Sequence, residues 1–102
     1  MKIVKVTYTT RAAFAAQNLA NIQDVMNELQ QLEPAGIFYH ACLGADGKTF
    51  IHTAFFETDS GQQQLNGLAS FKKFQAELKA SEPEQPPQPE LLTLAGSSKP
   101  LF

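Results

Sequence analysis

Gly36-Ile37-Phe38-Tyr39-His40-Ala41-Cys42-Leu43-Gly44-Ala45-Asp46-Gly47-Lys48-Thr49-Phe50-Ile51-His52-Thr53-Ala54-Phe55-Phe56-Glu57 is a pair of apolar runs folded about a turn. Runs 37–43 and 50–56 are rich in aromatic and β-branched residues, which suit a pleated, packed surface. Ala45-Asp46-Gly47-Lys48 between them supplies turn chemistry, so the stretch reads as a β-hairpin. Both parities of each run hold large apolar groups, and a hairpin with that pattern needs cover on both sides. A single layer of helices covers only one.

Working outward toward the N-terminus, residues 3–9 alternate Val4, Val6 and Tyr8 with Lys5, Thr7 and Thr9, the period of a strand. Thr10 is placed to cap the helix that follows. Ala15, Leu19, Ile22, Met26 and Leu29 form that helix's apolar stripe, with Gln17, Asn18, Asp24, Asn27 and Glu28 elsewhere. Pro34 ends it near Glu33, and Gly36 turns the chain into the hairpin. On the other side of the hairpin, Thr58, Asp59 and Ser60 suit an N-cap, and Leu65 and Leu68 mark a short helix that Gly67 and Ser70 interrupt. Ser70 is expected to cap a second piece with a buried stripe of Phe71, Phe74 and Leu78. Pro83, Pro86, Pro87 and Pro89 predict an extended, polyproline-like connector over 83–89. A last strand is expected over 91–95, then a short tail, 98–102, whose apolar Pro100-Leu101-Phe102 should pack against the protein.

The element order is β-α-β-β-α-β. Its economical solution is a four-stranded antiparallel sheet with the helices on one face. The uncovered apolar face then calls for a twofold dimer that packs sheet on sheet. The chain has 102 residues, enough for one domain and one core. With 43% hydrophobic and 18% charged residues it is composed as a folding protein. Its formal net charge of −2 leaves no basic footprint for nucleic acid or anionic lipid, and both are excluded as expected partners. No apolar run approaches membrane-spanning length and no signal-peptide pattern is present, so cytoplasmic residence is the expectation. Cys42 is the only cysteine, which rules out an internal disulfide and a cysteine cluster for zinc.

The element order, the strand from Phe50 to Glu57 and the broken helix Leu65…Phe71-Lys72-Lys73-Phe74 resemble the dimeric α+β barrel superfamily, over residues 2–97. That group includes antibiotic-biosynthesis-type monooxygenases, heme-degrading monooxygenases, muconolactone isomerases and stress-responsive barrel proteins. The resemblance implies an α+β, ferredoxin-like protomer, a homodimer and a pocket between sheet and helices. It does not imply one reaction. The heme-degrading branch is disfavoured, since this chain has no Trp, has Thr7 where that branch has Asn, and has no His between Gln62 and Lys79. Cofactor-independent oxygenases of the group act on activated aromatic substrates, which a dry aromatic pocket would suit, and no cofactor is called for.

Which side chains share a face depends on the turn. A three-residue loop with Gly47 in the left-handed position suits x-Asp-Gly-Lys and pairs His40 with His52. Phe38, His40, Cys42, Phe50, His52, Ala54 and Phe56 then line one face. A two-residue Asp46-Gly47 turn instead puts the two histidines on opposite faces. In the first register His40 and His52 are the candidate catalytic groups and the polar end of a pocket. Phe38, Phe50, Phe56, Tyr8 and Phe74 are its candidate ligand-binding walls. Tyr39 is able to donate into the same cavity, although strand tyrosines are more often packing residues. The same caution holds for the histidines, which also read as packing groups bonded to backbone or water. Two histidines are too few ligands for a metal. Cys42 reads as an inert buried thiol, and Asp46 and Glu57 as turn and strand-end residues. Two functions remain open: binding or oxidation of a small apolar or aromatic molecule in the pocket, and a non-catalytic structural or interaction dimer.

Overall fold

The computed structural model describes residues 1–102 as β1 (Lys2–Thr9), a 3-10 turn (Ala12–Phe14), α1 (Ala15–Leu32), β2 (Ile37–Leu43), β3 (Thr49–Phe56), α2 (Asp59–Gly67), α3 (Ala69–Ala80) and β4 (Gln85–Leu92). The strands form one antiparallel sheet in the order β2-β3-β1-β4. It is the ferredoxin-like α+β fold expected from the element order. Tyr8, Phe50, Ala54 and Phe56 from the sheet meet Ile22 and Val25 of α1, Leu65 of α2 and Phe71, Phe74 and Leu78 of α3 in a single buried core. Tyr8 and Phe50 stack at its centre with ring centroids 5.5 Å apart.

Four local expectations need correction. Thr10 does not cap a helix; it is fully buried and its amide and hydroxyl both donate to the Lys48 carbonyl, tying the end of β1 to the hairpin turn. Ser70 does not cap α3 either, because the break falls at Leu68, which has extended backbone between the two helices. The Ser70 hydroxyl donates to Glu28 Oε1 instead, fastening α3 to α1. The proline-rich segment is not a connector: β4 itself runs through Pro86, Pro87 and Pro89, and pairs with β1 from Gln85 to Leu92. An edge strand tolerates prolines because one row of its amides has no ladder partner to lose, and a register shift opposite Thr7–Thr9 accommodates the crowded end. Finally, Asn18 and Asn21 lie inside the α1 stripe, both buried, while Leu19 is exposed. The helix is rotated from the apolar reading toward polar groups that find partners.

The hairpin register is the fifth and most consequential difference. Leu43 pairs with Phe50 and Ala41 with His52, so Thr53 rather than His52 stands opposite His40. Gly47 does take a left-handed conformation, with φ at +74°. The turn nevertheless extends to Lys48, because the Asp46 carboxylate accepts from the Lys48 and Thr49 amides and from the Thr49 hydroxyl. Gly44 and Thr49 then close the ladder. This is the register of the two-residue alternative, and it reverses β2 relative to the favoured reading. Gly36, at the opposite end of the hairpin, needs both its φ of +79° and its missing side chain, since a Cβ there would sit 3.1 Å from Glu57 Cβ.

Candidate functional site

Alternation along the strands sorts the candidate residues. Val4, Val6 and Tyr8 of β1 stand beside Ala54, His52 and Phe50 of β3, and Tyr39 of β2 beside Ala54, all toward the helices. Phe38, His40 and Cys42 point to the open face with Phe55 and Ile51. His40 therefore does not reach the helix-covered side, and the paired-histidine pocket is not formed. Cys42 is exposed rather than buried.

Between the sheet and α2–α3 lies a cavity of about 490 Å³, a volume within the range of small-molecule sites. Its walls are apolar, with Val4, Val6, Phe56, Leu65, Phe71 and Phe74 among them. Prolines 83, 86 and 87 close the side toward β4, and Gln62, Asn66, Gln75 and Lys79 form a polar margin. Of the expected site residues, His52, Tyr8, Phe56 and Phe74 line this cavity. Phe50 is packed behind Tyr8 and does not line it, and Phe38 lines a separate hollow of about 370 Å³ between the end of α1 and β2.

The polar part of the cavity is a short chain of hydrogen bonds. Asn18 Nδ2 donates to the Tyr8 hydroxyl at 2.8 Å, Tyr8 Oη lies 2.7 Å from His52 Nε2, and Tyr39 Oη lies 2.5 Å from His52 Nδ1. Both imidazole nitrogens thus face a phenol, and Phe74 holds the ring from one side at a centroid distance of 5.3 Å. Burial, with a smaller contribution from His40, lowers the His52 pKa from 6.5 to about 4, so the ring is neutral at pH 7. Burial raises both tyrosine pKa values, with Tyr8 adding to the effect at Tyr39 and the Asn18 hydrogen bond opposing it at Tyr8. Both phenols therefore stay protonated at pH 7. Asn18 Oδ1, buried with no partner, is the one unsatisfied group in the arrangement. Its neighbour Asn21 is satisfied, accepting from Gln17 and donating to Glu77 Oε1 at 2.9 Å across to α3.

Chemically, the arrangement is able to hold a ligand oxygen at a dry wall and pass a proton along Tyr8, His52 and Tyr39. It offers no activated nucleophile. No group of three or more His, Cys, Asp or Glu side chains that could hold a metal is present anywhere in the chain. Sequence reasoning missed Asn18 entirely and left Tyr39 out of the binding set. The signal for Asn18 was its spacing: with Ile22, Val25 and Leu29 it recurs at three and four residues, so a polar residue stands on an apolar stripe.

The fold has counterparts among solved structures. The chain superposes on an antibiotic biosynthesis monooxygenase with a TM-score of 0.79 at 12% identity, covering 94% of this chain and 100% of that one. A protein from Mycobacterium tuberculosis gives 0.78 at 12% identity, covering 96% and 98%. A cofactor-independent oxygenase from Streptomyces nogalater, in a single-substitution variant, gives 0.68 at 12% identity, covering 95% and 96%. No family model and no curated protein matches the sequence. The fold is that of the antibiotic-biosynthesis-monooxygenase-like proteins. Identities this low carry the fold and not the reaction.

Proposed function

We propose that this protein binds a small, planar, apolar or aromatic molecule in the cavity between the sheet and α2–α3, and that its chemistry, where it has one, is cofactor-independent oxidation of that molecule. One observation carries the reading: a neutral buried imidazole, held between two phenols, faces an apolar cavity of about 490 Å³. Strongly shifted groups gathered in a cleft mark candidate functional sites. The oxygenase named among the structural counterparts supports the oxidative version. His52 and Tyr39 are the groups placed to touch the ligand, and His40 has no part in it.

The test is calorimetric titration with 1-naphthol, followed by dioxygen uptake in the presence of the same phenol and no added cofactor. Saturable heat is expected, and uptake above the protein-free rate identifies an oxygenase. No saturable binding up to the solubility limit contradicts the proposal.

A second reading is favoured by the open face, where Phe38 is exposed and stacks on Phe55 with centroids 5.6 Å apart. We infer that this face is the contact of a homodimer, which is compatible with the ligand site and would stand alone if no ligand binds. Sedimentation at micromolar concentration showing only monomer would remove it.

A further inference from the structure

The hydrogen-bond chain behind the cavity has a direction, and that direction selects the ligand. Asn18 can only donate through Nδ2, and Nδ2 is bonded to the Tyr8 oxygen. The Tyr8 hydroxyl is buried, and its own proton has one acceptor within reach, His52 Nε2 at 2.7 Å. Nε2 is then the unprotonated nitrogen, and the single proton of the neutral ring is on Nδ1. Nδ1–H points at Tyr39 Oη, 2.5 Å away, so that oxygen is occupied as an acceptor. The Tyr39 hydroxyl proton is left over, with no acceptor in the protein, on a residue that lines the cavity.

With Asn18 Nδ2 on the Tyr8 oxygen, the opposite direction fails by the same inventory. If Nε2 carried the proton, the Tyr8 oxygen would receive two donors and its own proton would be orphaned in the core. Turning the Asn18 amide over would give that proton an acceptor only by exchanging the unpartnered Oδ1 for an unpartnered Nδ2, and the structure sets Nδ2 on the Tyr8 oxygen.

We propose that Tyr39 is the donor to the ligand, with Asn18, Tyr8 and His52 as positioning residues that fix its direction, so that the site selects an apolar molecule bearing an accepting oxygen, a carbonyl or phenolate, over a donor-only counterpart of the same shape. The proposal rests on the cavity being a ligand site and adds its polarity. It is independent of whether any oxidation follows.

The experiment uses three bicyclic probes of nearly one shape: 1-indanone, which accepts; indole, whose ring nitrogen only donates; and indane, which does neither. A net hydrogen bond in a dry site favours 1-indanone by about five- to tenfold over both others. Tyr39→Phe should bring 1-indanone down to the level of indane. In the ligand-free protein, ¹⁵N shifts of the His52 ring should show a protonated Nδ1 and a bare Nε2, a readout that a merely structural role for Tyr39 does not predict. Equal affinity of the three probes, preference for indole, or a proton on Nε2 overturns the polarity and leaves the pocket standing. Failure of all three probes to bind overturns the pocket reading, and the selectivity with it.

Discussion

Two faces of one sheet each hold a histidine from the same hairpin, and they meet different surroundings. His52, on the helix side, is 5% exposed and has a phenol on each nitrogen. His40 is exposed, with the Phe38 ring at 5.5 Å and the Phe55 ring at 6.1 Å between centroids. Strand geometry has a period of two, so a one-residue difference in pairing moves a side chain from one face to the other. The lesson is one of burial. On the covered face a polar ring is kept only by supplying partners to both nitrogens; on the open face no such demand exists.

The contrast is easiest to break at its aromatic centres. Phe50→Ala should lower stability by about 3–5 kcal/mol, because it leaves a cavity beneath Tyr8 in the core. Phe55→Ala, measured where the chain is dilute enough to be monomeric, should lower it by less than about 1.5 kcal/mol. Urea denaturation of both variants decides. Equal losses would mean that the open face is packed as tightly as the covered one.

Between pH 7 and pH 4, acid should act on the covered face through His52. The folded pKa of His52 lies near 4 and the unfolded value near 6.5. Below 6.5 the unfolded chain therefore takes up a proton that the folded chain refuses. The contribution is full above pH 6.5 and is lost as pH falls toward 4, by up to about 3 kcal/mol. Denaturation midpoints between pH 7 and pH 4 should fall accordingly, and His52→Gln should flatten that slope. An unchanged slope in the variant would place the acid sensitivity elsewhere.

At neutral pH the two histidines should also differ on deletion. His52→Ala strands the buried Tyr8 phenol and the partly buried Tyr39 phenol, and should lower stability by about 1–3 kcal/mol. His40→Ala should stay within about 0.5 kcal/mol of wild type in the monomer. Similar losses at both would show that the faces are not distinct.

Much of this fold was readable in the chain because its elements are periodic or punctuated. Val4, Val6 and Tyr8 announce β1, and Phe71, Phe74 and Leu78 announce α3 with its buried side. The site was less readable, for reasons that can be located. Register was decided by the Asp46 carboxylate wrapping Lys48 and Thr49, a side-chain-to-backbone interaction that residue type alone does not order against a glycine bulge. Asn18 was read as a surface residue because its partner, Tyr8, comes from a different element. β4 was displaced in the reading because prolines mark the absence of amides, and an edge strand exposes one row of amide positions anyway. In each case a contact between elements outweighed a local preference.

The most direct test of the account is an NMR map of the aromatic and imidazole resonances during titration with 1-naphthol. The account predicts saturable shifts at His52, Tyr39 and Phe74, with His40 and Phe55 unmoved. Shifts confined to Phe38, His40 and Phe55, with the His52 ring unperturbed, would contradict it.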